Sequence, residues 1–202
     1  MFNIPQEEFK ILKTLDTPQK IQSFLDELPF NYEKNGETCM APLRVLSDRK
    51  AHCIEGAMLA CVCLMIQGEK PHIVSLKVTP DDYDHIITIF KRNGYYGAIS
   101  KTNHFVLRYR DPVYRSVREL VMSYFHEYFL VHNGKKTLLG YSNPINMNRF
   151  GKKWITADEN LWKIAETIFD APTHNVVPKE NQKFIRAAQA FEREVCTIKE
   201  WK

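Results

Sequence analysis

The stretch from Cys53 to Gln67 most limits what this chain can fold into, because Ala57, Met58, Leu59, Ala60, Val62, Leu64, Met65 and Ile66 leave it no polar face. A helix apolar on every side must be covered on every side. The spacing therefore predicts a central buried helix, stopped by Gly68, with the remaining chain wrapped around it. With 202 residues, 44% hydrophobic and 12% aromatic, the chain can supply that cover as a single domain. The same content excludes disordered, collagen-like and coiled-coil folds. The longest apolar run, Gly56 to Gln67, is too short to span a bilayer, so no membrane partner is expected.

Upstream, Thr17 and Pro18 provide a capping residue and a first-position proline for a helix with Ile21, Phe24, Leu25 and Leu28 on one face. A shorter helix is expected over Gln6 to Leu15. Residues 31–50 are polar and turn-rich and read as a long irregular connection. After Gly68, short β-branched and aromatic runs predict strands at His72 to Val78, His85 to Phe90, Tyr95 to Ser100 and Phe105 to Tyr109, with Asn93-Gly94 as a hairpin turn. Asp111-Pro112 predicts the cap of a long amphipathic helix reaching about Leu130, with Val113, Val117, Leu120, Val121, Tyr124 and Tyr128 inward. Lys135 to Tyr141 reads as another strand. Two helices are expected to finish the chain, one opened by the capping box Thr156 and Glu159, the other near Pro178 carrying Phe184, Ala187, Ala188 and Phe191. Helices flanking an antiparallel sheet make the class α+β. The single domain then divides into N-terminal helices and a loop over 1–47, a core over 48–110 and a mainly helical part over 111–202.

Phosphate-cradling glycine loops and the serine-hydrolase elbow are absent from the sequence. His126 and His132 are six residues apart, about 240° around a helix, which is the wrong spacing for one-face metal ligation. No metal is expected. Five cysteines, with Cys53, Cys61 and Cys63 crowded into one apolar stretch, read as reduced thiols rather than a disulfide framework. The first eight residues carry no basic segment leading into an apolar one, so no secretory leader is expected and the protein reads as cytoplasmic.

Cys53 stands where the polar loop Arg49-Lys50-Ala51-His52 meets the buried helix. A thiol in the first turn feels the positive end of the helix dipole and its unpaired N–H groups, with Arg49 and Lys50 pushing its pKa the same way. The competing reading is a small core residue at a helix start. His85 opens an apolar strand after Asp84. If Asn93-Gly94 is a two-residue turn, Arg92 pairs with Tyr95, Ile87 falls opposite Ser100, and His85 falls opposite Thr102. Ser100 is then the diagonal neighbour of His85, within reach of its imidazole. A three-residue loop would instead bring Asn103 opposite His85. A ring satisfied by a backbone carbonyl is the alternative.

Cys53 followed by Ala57, the exit through Leu64, Gly68 and Pro71, Asp84-His85 opening the next strand, and Gly94-Tyr95-Tyr96 turning into a third resemble the transglutaminase-like superfamily. That superfamily is related to arylamine N-acetyltransferases and peptide:N-glycanases, and the resemblance covers about residues 48–110. It implies a papain-like core, one central helix against an antiparallel sheet, with cysteine, histidine and aspartate in that order on helix, strand and adjacent strand. By that resemblance Cys53 is the nucleophile and His85 the general base. The chain departs from the pattern at the third position, where Ser100 stands in place of the aspartate and Asn103 is the alternative. A neutral partner fixes a tautomer but stabilises imidazolium less than a carboxylate does. The implied chemistry is thiolate attack on a peptide, amide or small acyl substrate. A thioester forms, and water or an amine resolves it with no cofactor.

The net charge, 28 Lys and Arg against 24 Asp and Glu, names no partner. Lys101, Arg108, Arg110, Arg115 and Arg118 nevertheless stand against Asp111 alone between residues 101 and 118. Strand alternation would place Arg108 and Arg110 on one face with His104, where an anionic substrate or a nucleic-acid backbone could be met. A solvated face with pairs such as Arg115 and Glu119 is the favoured alternative. Three functions result, in descending order: a cysteine-dependent amidase or acyltransferase, a catalytically inactive binding or scaffolding module using the same cleft, and nucleic-acid binding through residues 101–118.

Overall fold

The structure, a computed structural model, describes residues 2–197. Its centre is α4 (Cys53–Ile66), in which every residue from Ile54 to Met65 is buried. Gly68, at φ +79°, turns the chain out of the helix. Three helices cover one side: α1 (Gln6–Thr14), α2 (Pro18–Glu27) and α3 (Pro42–Asp48). The Thr17 hydroxyl caps α2 by accepting from the Lys20 N–H at 3.2 Å. The connection expected to be irregular instead contains α3, started by Pro42 and closed by Arg49 in the left-handed region.

An antiparallel sheet covers the other side. Its strands are β1 (His72–Val78), β2 (His85–Arg92), β3 (Tyr95–Ile99), β4 (Arg110–Tyr114), β5 (Leu138–Ser142), β6 (Ile145–Asn146) and β7 (Thr173–Asn175). Their order is β4-β3-β2-β1-β5-β7, with β6 also paired to β1. The class is α+β. Alternation splits β2 between two cores, which is why it reads as a continuous apolar run. Ile86 and Phe90 join the α4 core, whereas Ile87 and Ile89 pack with Leu120 and Val121 of α5 (Val117–Met122) and with Tyr124. Asn93 and Gly94 both have positive φ, a two-residue turn that pairs Arg92 with Tyr95 and Thr88 with Ile99. This register sets Ser100 one step beyond the end of β3, alongside the start of β2.

The structure departs from expectation after Ile99. Residues 105–109 form no strand; the chain loops from Lys101 and re-enters the sheet at Arg110. Lys101 itself is buried, its ammonium donating to the Leu28 carbonyl. Its side chain passes so close to α4 that a Cβ on Gly56 would stand 2.5 Å from Lys101 Cβ. The long helix expected from Asp111 is a strand followed by the short α5, because β3 pairs with this segment and Ser116 provides the cap by accepting from the Glu119 N–H at 3.1 Å. Val113 is accordingly exposed, although Leu120, Val121, Tyr124 and Tyr128 are buried as expected.

Thr156 closes a short 3-10 turn instead of opening a helix; α6 begins later and spans Trp162–Phe169. Near the C-terminus, Phe184 ends a 3-10 turn and Phe191 lies in α7 (Ala190–Val195), both strongly exposed. Residues 111–202, expected as mainly helical, thus supply most of β4 and all of β5, β6 and β7. Among the described residues, no helix is long and apolar enough to cross a membrane.

Candidate active site

Cys53 is the first residue of α4 and His52 is its N-cap. Their position is fixed by Glu55, whose carboxylate is fully buried. It accepts from the His52 N–H at 3.0 Å, the Met40 N–H at 2.9 Å, the Thr38 hydroxyl at 2.8 Å and the Asn31 amide at 3.1 Å. The segment before the helix is thereby tied to its first turn. The opening N–H groups of α4 have no intrahelical acceptor and point toward the end where Cys53 stands.

His85, the first residue of β2, is buried. Its Nε2 lies 2.7 Å from Ser100 Oγ, and Ser100 Oγ lies 2.6 Å from the Leu107 carbonyl oxygen. Proton counting assigns both bonds. A carbonyl only accepts, so the single hydroxyl proton goes to Leu107 and Ser100 accepts from His85 Nε2–H. The proton therefore sits on Nε2, and Nδ1 is left for the thiol. Leu107 is held in the left-handed region at φ +61°, a conformation leucine avoids, and its carbonyl is aimed at the serine. Gln22 pins the Ser100 backbone from both sides, donating to its carbonyl at 2.8 Å and accepting from its N–H at 2.9 Å.

Cys53, His52 and His85 line one cleft. Burial pushes the Cys53 pKa up, but the two imidazoles, as hydrogen-bonding and positively charged neighbours, outweigh burial and bring it down to about 5. His52 moves the opposite way. Burial opposes its charge, yet the bond to Cys53, the sulfur's negative charge, Glu55 and the Thr38 carbonyl together raise it to about 9. Arg49, expected to act on Cys53, lies over the Phe24 ring, and the largest influences lowering Cys53 come from His52 and His85. His52 is the residue that sequence reasoning missed. A histidine at the N-cap, next to Cys53 and three residues before a glutamate, was the available signal.

The thiol opens onto a cleft of about 760 Å³ whose walls include His52, His85, Tyr83, Tyr128, Trp162 and Asn103. Asn103 lies on the cleft wall without a hydrogen bond to His85, whose Nε2 is taken by Ser100. Arg108 and Arg110 do not line it. Arg108 pairs with Asp26 at 3.0 Å, while Arg110 pairs with Glu127 and stacks 4.1 Å from the centre of the Tyr124 ring. With Lys101 buried as well, the basic stretch forms no continuous charged surface; Arg115 and Arg118 are its exposed members. Arg115 meets Glu119 through its backbone N–H at 2.6 Å. Among the described residues, no group of three or more His, Cys, Asp or Glu could hold a metal ion.

In comparisons with known proteins, no family model and no curated protein matches this chain.

Proposed function

We propose that the protein is a cysteine-dependent amidase or acyltransferase with a transglutaminase-like arrangement, working in a reducing, cytoplasmic compartment. The observation that carries this reading is a thiol at the first turn of a buried helix, on a cleft whose wall also carries two imidazoles, His52 and His85. Five free cysteines accord with such a compartment.

The Cys53 thiol gives its proton to His85 Nδ1, and the resulting thiolate attacks the carbonyl carbon of a peptide, amide or small acyl substrate, forming a C–S bond. Negative charge moves to the carbonyl oxygen, beside the opening N–H groups of α4. Collapse breaks the bond to the leaving amine or alcohol, which takes the proton from His85 Nδ1. Water or an amine then attacks the thioester, returns a proton to Nδ1, and releases the thiolate as the C–S bond breaks. Ser100 holds the ring's orientation throughout.

Incubation with a series of activated acyl esters and glutamine peptides, followed by intact-mass measurement, tests this reading. An acyl adduct that maps to Cys53, is missing in Cys53→Ala and decays faster when amines are added supports it. Absence of any adduct across the series, with ligands still bound by the cleft, would leave the binding-module reading instead.

A further inference from the structure

We infer that His52, backed by the carboxylate of Glu55, is a second catalytic imidazole that holds the thiolate's charge, leaving His85 to move protons. This inference rests on the reading of Cys53 as a nucleophile. The two rings that share the cleft with the Cys53 sulfur differ in what stands behind them. Behind His85 is the neutral Ser100 hydroxyl, which passes its proton to Leu107. Behind His52, Nε2 lies 3.0 Å from the Thr38 carbonyl, 3.4 Å from Glu55 Oε1 and 3.5 Å from Glu33 Oε1. A carbonyl only accepts, so Nε2 carries a proton.

Glu55 is fully buried and receives four donors, so its charge is fixed in place. A fixed carboxylate behind an imidazole stabilises imidazolium, the service usually given by the third member of a triad. Ser100 does not give it to His85. The anionic backing is present in this site after all, one ring away from the position where the family pattern would put it.

The difference divides the labour. If His52 surrendered its proton to a leaving group, Glu55 would be left as a buried anion without its cation, which is costly. His85 has no carboxylate bonded to it and releases its proton at less cost. The titratable groups facing the Cys53–His52 pair are Glu33, Glu55 and His85, together with Cys39 and Tyr128, whose own pKa values are raised by burial.

The test follows iodoacetamide modification of Cys53 against pH by mass spectrometry in the wild type, His52→Asn, Glu55→Gln, their double variant and Ser100→Ala. His52→Asn raises the midpoint by about one to three units, the span one opposite charge at this range produces, whereas Glu55→Gln lowers the pH at which the His52 ring loses its proton, read by NMR titration. The double variant shifts no further than His52→Asn alone, since Glu55 acts through His52. Ser100→Ala leaves the midpoint in place while slowing acyl transfer. An unchanged midpoint in His52→Asn would overturn the inference, as would a Glu55→Gln shift that persists without His52. Should Glu55→Gln not fold, His52→Asn decides it: a raised midpoint supports the inference, and an unchanged one refutes it. A wild-type midpoint near the free-thiol value of about 8.5 would remove the proposed function as well.

Discussion

Cys53 and Cys61 lie on one helix about two turns apart, and the protein pushes their thiols in opposite directions. Cys61 is fully buried and its sulfur is 3.6 Å from Thr88 Oγ1. That hydroxyl already donates to the Ala57 carbonyl at 2.7 Å, so the thiol can only donate to it and stays protonated. Burial, with no cation near, pushes Cys61 up to about 12. Cys53 also pays for burial, yet two imidazoles bring it down to about 5. What separates the two thiols is the charged partner at the helix start together with the opening of Cys53 onto the cleft.

The strongest way to break this contrast is to remove His85, the ring proposed to move protons. His85→Asn is expected to cost acyl transfer about 10³-fold, the middle of the range for a general acid–base group, while leaving Cys61 unreactive. A loss under tenfold in single-turnover acylation would mean that His85 only packs. Next in size is the contrast itself. At pH 7 the Cys61 thiolate fraction is about 10⁻⁵, partly offset by about 10³ from its greater intrinsic nucleophilicity, which leaves Cys53 labelling about 10²-fold faster in peptide-resolved kinetics. The rate for Cys53 rises with pH through about 5 and levels above it, because only the thiolate reacts and its pKa is lowered.

Gly56→Ala sharpens the comparison from the structural side. A Cβ there meets Lys101 at 2.5 Å, so the first turn or the 101–109 loop must shift. Denaturant unfolding should report a loss of about 1–3 kcal/mol, the usual cost of overpacking, despite alanine's better helix propensity. The smallest effect is expected at Ser100. Ser100→Ala slows transfer about fivefold by releasing the orientation of His85, as measured in single-turnover acylation, where a neutral hydrogen bond contributes about 1 kcal/mol. Ser100→Asp does not restore more, because the carboxylate would face the Leu107 carbonyl, which now sits 2.6 Å from the hydroxyl, with no proton to share.

Local signals made the first half of the site legible. The apolar run over α4, the Asn93-Gly94 turn and the register counted from it brought Cys53, His85 and Ser100 into consideration from the residues alone, and the structure sets His85 and Ser100 2.7 Å apart. The region after Ser100 was harder because long-range contacts overrule composition there. Phe105 to Tyr109 has strand-like residues, yet burial of Lys101 against Gly56 and the left-handed Leu107 send the chain around the site. Val113, Val117 and Leu120 fit a helical spacing, but pairing with β3 takes Val113 into β4. His52 escaped notice because its partners, Thr38, Glu33 and Glu55, meet it only after α4 and the preceding loop have docked. Arg108 and Arg110 looked available to a ligand because sequence spacing does not show Asp26 or Glu127 beside them.

The most direct test of the central claim, that Cys53 is a thiolate at neutral pH, is an ultraviolet titration of thiolate absorbance in the wild type against Cys53→Ala. One thiolate, absent from the variant, should appear with a midpoint near 5, while Cys39, Cys61 and Cys63, all raised by burial, stay protonated through neutral pH. A Cys53-dependent step near the free-thiol value of about 8.5, or none at all, would contradict it.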